Sequence, residues 1–241
     1  MVPTSNSHGL HQGMSDPATR DKLISAAERL FAKEGMAVSM RRINEAAGQR
    51  NASAAHYHFG SKEALIDAIL EKRMSATNQR RQNMLDEAEE AGLSDDLRTM
   101  VECLVLPLAE TISGGSKRSN YVRFLAQLNR DPSVDLSKFI GRRYNMALIR
   151  VNELIENILT HVPRTIIKMR LDLMVGEMIY AVADIDQNTP KSKGNKRNES
   201  IVLKVNNLID CVTGALAVPV SEKSLELLEE RKKSKKRKRA A

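Results

Sequence analysis

The chain has 241 residues, enough for one large domain or for a small module joined to a larger one. Its net charge of +8 sits at one end: Arg231 to Arg239 carry eight basic residues and no acid, leaving 30 basic against 30 acidic residues elsewhere. Bulk charge therefore cannot argue for nucleic acid binding by the body of the chain, and any such argument must rest on local arrangement.

Helical periodicity dominates, and no segment sustains the alternation of a strand, so an all-α fold is expected. Asp16-Pro17 supplies a start signal, and Leu23, Ala26, Ala27, Leu30 and Phe31 form one apolar stripe that stops at Gly35. Ser39 caps a second, short helix with Ile43, Ala46 and Ala47 inward, and Gly48 ends it. A third is expected over residues 51–59, ended by Gly60, and Ser61 caps a fourth over residues 62–91. At 1.5 Å per residue the fourth is a rod of roughly 40 Å, long enough to link two modules.

Further helices are expected over residues 94–112, 119–129, 134–161, 163–186 and 199–216. Asp184 and Asp186, at the end of the penultimate one, are expected to face solvent or a partner. Residues 188–198 read as a polar loop. Residues 221–230 suit a short helix, and the basic run after it reads as disordered. The expected organisation is a flexible arm over 1–16, a helix-turn-helix domain over 17–73, a helical domain over 74–218 and a C-terminal segment over 219–241.

Cys103 and Cys211 lie in apolar helical pattern, where a reduced cysteine behaves as a small buried hydrophobe. The first 17 residues lack the apolar core of a signal peptide, and charges interrupt every apolar run before the roughly 20 residues of a membrane span. A cytoplasmic protein without membrane contact is the expectation.

Residues 39–65, S-M-R-R-I-N-E-A-A-G-Q-R-N-A-S-A-A-H-Y-H-F-G-S-K-E-A-L, carry the functional signal. A short helix, a glycine stop and a second short helix rich in polar and aromatic groups make the layout of a helix-turn-helix DNA reader. Asn51, Ser53 and His56 can hydrogen-bond to base edges, Arg50 can reach phosphate or guanine, and Tyr57 offers a hydroxyl beside an apolar ring. Ala52, Ala54 and Ala55 keep the helix slim enough for a major groove about 12 Å wide. Lys62 and the pair Ser39 and Arg41 stand at helix starts, where free N–H groups also favour a phosphate. Singly these have plainer readings: Ser39 and Ser61 as caps, Arg41 and Arg42 as a solvated pair, Phe59 as a core anchor. His56 and His58, two apart, point to different faces and do not suggest a shared metal.

From Thr19 to about Arg73 the sequence resembles the DNA-binding domain of the TetR family of transcriptional regulators. The resemblance rests on T-R-D-K-L-I-S-A-A-E-R-L-F-A-K-E-G, S-M-R-R-I-N-E-A-A-G and Y-H-F-G-S-K-E-A-L. The stretch between Gly48 and Phe59 is one residue longer than the commonest family pattern, with His56 where that pattern has Tyr and Tyr57 one place later. The resemblance implies phosphate contacts by Ser39, Arg41, Tyr57 and Lys62. It also implies an N-terminal three-helix reader joined by a long helix to an all-helical domain for effector binding and dimerisation.

In that second region Leu171, Met178 and Val182 recur at helical spacing with Ile167, Met174 and Ile185, and Val205, Leu208 and Val212 do so with Ile201. Stripes this broad suggest burial against both the core and a partner, although two ordinary core helices would read the same. The resemblance favours a homodimer reading a pseudo-palindromic double-stranded operator, with half-sites about 34 Å apart. An effector pocket is implied within residues 95–186, with Met100, Phe124, Met146 and Met174 as candidate lining and a lipophilic small molecule as the occupant. Core packing equally explains these side chains. No cofactor is indicated, and no carboxylate pair, activated nucleophile or metal cluster stands at catalytic spacing, so an enzyme is not expected. A repressor released by its effector is the leading reading. An activator or architectural DNA-binding protein without an effector, and a helical interaction protein or enzyme, are the alternatives.

Overall fold

The computed structural model describes residues 17–51, 53–112, 120–134, 139, 145–190 and 196–240, the last six of these by backbone alone. Ten α-helices and no strand occur among them. The expected N-terminal arm lies outside the described residues.

Helix α1 (Pro17–Glu34) buries Leu23, Ile24, Ala27, Leu30 and Phe31 along the expected stripe. The helix α2 (Met40–Ala46) begins at Ser39, whose hydroxyl accepts from the Arg42 N–H at 3.2 Å and so satisfies one of the free donors of the first turn. Gly48 ends it with φ near +69°, which lets the Gly48 and Gln49 N–H groups fold back onto the carbonyls of Glu45 and Asn44. Helix α3 (Ala54–Phe59) is shorter than expected. It starts late because the Asn51 side chain takes the Ser53 N–H at 2.9 Å, a local bond that competes with a first helical turn.

Helix α4 (Lys62–Glu90) is capped by Ser61, whose hydroxyl accepts from the Ala64 N–H at 3.1 Å. Its 29 residues make a rod of about 43 Å. Its first half is riveted to α1 through Lys72–Asp21 at 2.8 Å and Arg73–Glu28 at 2.7 Å, the latter with a buried carboxylate. The second half meets α5 (Leu97–Ala109) and α7 (Met146–Ile158), and Asn78 caps α7 by accepting the Ala147 N–H at 2.9 Å. The expected helix over 134–161 is thus described only from Met146, since 135–138 and 140–144 lie outside the described residues.

Helix α6 (Asn120–Arg130) packs against both α1 and α8 (Arg164–Asn188), and α9 (Lys196–Ala217) returns antiparallel to α8. The antiparallel pairing is fixed at one end by Arg170 Nη1 donating to the Leu216 carbonyl and at the other by the ion pair Arg197–Asp186 at 2.8 Å. Asp186 is therefore fully buried, not solvent-facing as its place at a helix end suggested. Arg197 makes this burial tolerable and also donates to the Ile112 carbonyl at 3.2 Å. Asp184 is exposed, as expected.

Two further expectations are corrected, at Cys211 and at the C-terminal basic run. Cys103 is buried, but Cys211 is exposed on the outer side of α9. Helix α9 is long and apolar enough to cross a membrane by length and composition, with mean hydropathy 1.3. Its stripe of Ile201, Val205, Ile209, Val212 and Leu216 is nonetheless buried against α5 and α8. The last helix, α10, runs from Glu222 to Ala240 and continues through the basic run. Lys and Arg are good helix formers, cations suit a helix C-terminus, and Lys232 pairs with Glu229 at 2.6 Å.

Candidate nucleic-acid interface and ligand cavity

The outward face of α3 is built around a buried side chain rather than an exposed one. Asn44 of α2 is 1% exposed, and its Oδ1 accepts the N–H of Ala55 in the first turn of α3 at 2.8 Å. This bond ties α3 to α2 while Ala54 and Ala55 bury their methyl groups against the bundle. Five polar or aromatic side chains of the segment are left outside. Arg50, Asn51, Ser53, His56 and Tyr57 are all exposed, and Tyr57 has 65% of its surface free. His56 Nδ1 lies 3.2 Å from the Gly60 carbonyl, which can only accept, so this nitrogen is the donor of the pair. His58 turns the other way, against the rings of Tyr57 and Phe59. Phe59 is a core anchor, half-buried beneath the Arg20 guanidinium at 5.3 Å.

The residues assigned to phosphate divide into two groups. Ser39 and Arg41 are exposed at the start of α2, with Arg41 paired to Glu45 at 3.2 Å across one helical turn. Lys62 is turned inward: its ammonium donates to the Met36 carbonyl and lies 5.7 Å from the Phe31 ring. It secures α4 to the end of α1, and would have to leave that carbonyl to reach a phosphate.

The side chains singled out for dimerisation fall mostly in the chain's own core. Leu171, Met178, Val182, Val205 and Val212 are buried within one chain, and Leu208 is half-buried. The apolar side chains these two helices do expose are Met169, Leu173, Val202 and Leu203. Heptad spacing reveals the apolar stripes but not how much of them one chain covers.

An apolar cavity of about 80 Å³ lies between α4, α5, α6, α7 and α8, walled by Met74, Leu104, Leu108, Leu125, Leu148, Val175, Met178 and Ile179 with Thr77, Arg81 and Tyr121. None of the four expected pocket residues lines it: Met100 and Phe124 are fully buried in the core, Met174 is half-buried and Met146 is exposed. A larger open cleft of about 460 Å³, bordered by Lys33, Arg123, Arg130 and Asp184, is polar and solvent-facing. Among the described residues, no group of three or more His, Cys, Asp or Glu is placed to hold a metal ion.

The polar lining has a structural origin in α5. Pro107 lies inside that helix and has no N–H, so the Cys103 carbonyl loses its ordinary partner. Arg81 supplies a replacement, donating from Nε to Cys103 at 3.0 Å and from Nη2 to Leu104 at 3.4 Å. Burial pulls the Arg81 guanidinium down to about 10 and pushes the Cys103 thiol up to about 11. It also pushes the Tyr121 phenol well above its ordinary range, so the phenol is neutral and a hydrogen-bond donor.

A short helix, α3, locked to the capped α2 and carried on a long rod into a helical domain, defines a helix-turn-helix protein of two-part, all-α design. The particular fold is that of the TetR-family transcriptional regulators. The family described as "Bacterial regulatory proteins, tetR family" matches residues 23–69, and "Tetracyclin repressor-like, C-terminal domain" matches residues 102–215. Among solved structures, the chain is similar to NalD, the secondary repressor of the MexAB-OprM multidrug efflux pump in Pseudomonas aeruginosa. The two are 19% identical, the match covers 78% of this chain and 94% of NalD, and the TM-score is 0.46. The TetR transcriptional regulator SCO0520 from Streptomyces coelicolor is 20% identical, with 84% and 99% covered and a TM-score of 0.33. No curated protein matches the sequence.

Proposed function

We propose that this chain is a cytoplasmic, non-enzymatic TetR-family regulator that binds a pseudo-palindromic DNA operator as a homodimer. It acts as a repressor, and a small molecule in the helical domain releases it. The observation that carries this reading is the face of Arg50, Asn51, Ser53, His56 and Tyr57, held outward by the buried Asn44–Ala55 bond. Donors and acceptors for base edges stand there beside cations for phosphate, on a helix slim enough for the major groove. Dimerisation is assigned to the outer sides of α8 and α9, where Met169, Leu173, Val202 and Leu203 are exposed. Each subunit then presents one reading helix, and two-fold symmetry calls for half-sites about 34 Å apart.

For release, the ligand must bind more tightly to a conformation whose reading helices are wrongly spaced. The test is selection of genomic fragments by the purified full-length chain, followed by salt-controlled gel shifts. Enrichment of a pseudo-palindrome is expected, whereas selecting no sequence would overturn the reading in favour of a protein partner for this face. Small molecules that co-purify are then identified by mass spectrometry and added to the complex. A complex insensitive to every one of them, with an empty cavity, favours an activator or architectural role.

A further inference from the structure

Arg81 is 6% exposed, and its two hydrogen bonds go to backbone carbonyls that any neutral donor of equal reach could serve. They explain where the side chain points but not why it is charged. No carboxylate among the described residues lies within ion-pair distance of it, and Nη1 makes no hydrogen bond among them. A cation removed from water without a counter-ion is expensive, and a protein retains one where an anion completes it. Arg81 lines the cavity beside the Tyr121 and Thr77 side chains, with every other wall residue apolar.

We infer that this cavity binds the head group of an amphiphilic organic acid, with Arg81 as its counter-ion and Tyr121 as a second donor. The inference names the effector class of the proposed regulator and rests on that reading for its regulatory meaning. The space of about 80 Å³ equals two or three waters at about 30 Å³ each, room for a carboxylate and its first methylenes. A longer tail lies among Leu104, Leu125, Leu148 and Ile179 once Met74 and Met178 swing aside, which their unbranched side chains permit. A primary ammonium of the same length would meet the guanidinium as a like charge, and an alcohol would leave it unpaired.

Titration calorimetry of the full-length chain with butanoate, hexanoate, octanoate and decanoate, against the matching alcohols and alkylammonium ions, tests the site. At least one carboxylate is expected to bind about tenfold or more tightly than its alcohol, with no binding of the ammonium ions. Arg81→Gln, which keeps a donor for the carbonyls, is expected to abolish that preference. Should this variant fail to fold, the comparison on the unaltered chain still decides: equal affinities for acid and alcohol, or no binding by any acid, overturns the site. Gel shifts with the same acids separate the two proposals. Binding without operator release supports the site and sinks effector control by it, while release by another compound with no acid bound sinks the site alone.

Discussion

The Arg81 guanidinium donates to the Cys103 carbonyl, the group that Pro107 leaves without its helical donor. The pair is a repair across two helices, and its energy should be measurable as coupling. Loss of a donor to a buried carbonyl costs about 1–3 kcal/mol, whereas Pro107→Ala supplies an N–H inside α5. Arg81→Met is therefore expected to be less destabilising, by about 1 kcal/mol, in the Pro107→Ala background than in the unaltered chain. Urea denaturation of the four proteins gives this number, and additive effects would refute the pairing.

On the proposed reading face, contact and support fall on different residues. Tyr57→Ala removes an exposed side chain and is expected to abolish operator binding while leaving the melting temperature in place. Asn44→Ala removes the buried acceptor of the Ala55 N–H and should cost about 1–3 kcal/mol of stability as well as affinity. Thermal melts beside gel shifts distinguish them; unchanged operator affinity in the Tyr57 variant would remove that residue from the interface.

Much of this region was legible in the sequence because its punctuation is local. Ser39 and Ser61 cap the helices as their positions suggested, and Gly48 stops α2 at the expected place. The start of α3 was missed because Asn51 spends its side chain on Ser53, a choice that pattern alone cannot distinguish from a helical first turn. Farther along, helical spacing revealed which residues are apolar, but not what covers them. Val205 and Val212 turned inward, and Leu203, which does not fit the stripe, was left outside. Arg81 stands in a run of polar residues, and its partner is defined by a proline on another helix, which no local pattern encodes.

Leu203→Asp and Val205→Asp should therefore behave differently. The first places a charge on a side chain that is 72% exposed, and is expected to give a folded monomer. The second buries an unpaired carboxylate in the core and is expected to unfold the helical domain. Light scattering with circular dichroism reads both outcomes, and a Leu203→Asp protein that remains dimeric would move the interface elsewhere.

The two thiols should differ in reactivity. Burial holds Cys103 up to about 11, so it stays protonated and shielded at pH 8, whereas Cys211 is exposed in the single chain. Ellman's reagent is expected to titrate at most one thiol in the native protein at that pH, and both after denaturation. Because the folded-state value is raised above the ordinary thiol value of 9.0, its contribution to stability is complete below about pH 9 and is lost as pH rises towards 11. Rapid reaction of both thiols in native protein would contradict this placement.

The basic end of α10 offers a separate test on DNA. If its cations meet phosphates, each contact steepens the plot of log affinity against log salt by about 0.9. The full chain is expected to show a steeper slope than one ending at Glu230; equal slopes would leave the run without a role in binding.

The stacked rings of Phe31 and Phe124, 6.1 Å apart, give α1 a second anchorage on α6, besides the covalent continuity of the bundle with α4. The bundle of α1 to α3 thus hangs from two struts, and the apolar cavity lies between them, with Arg81 on one and Tyr121 on the other. A body held at two points does not simply translate when its supports spread; it pivots. Over a rod of about 43 Å, a tilt of about 5° swings the far end by about 4 Å, more than one base-pair rise along a DNA groove.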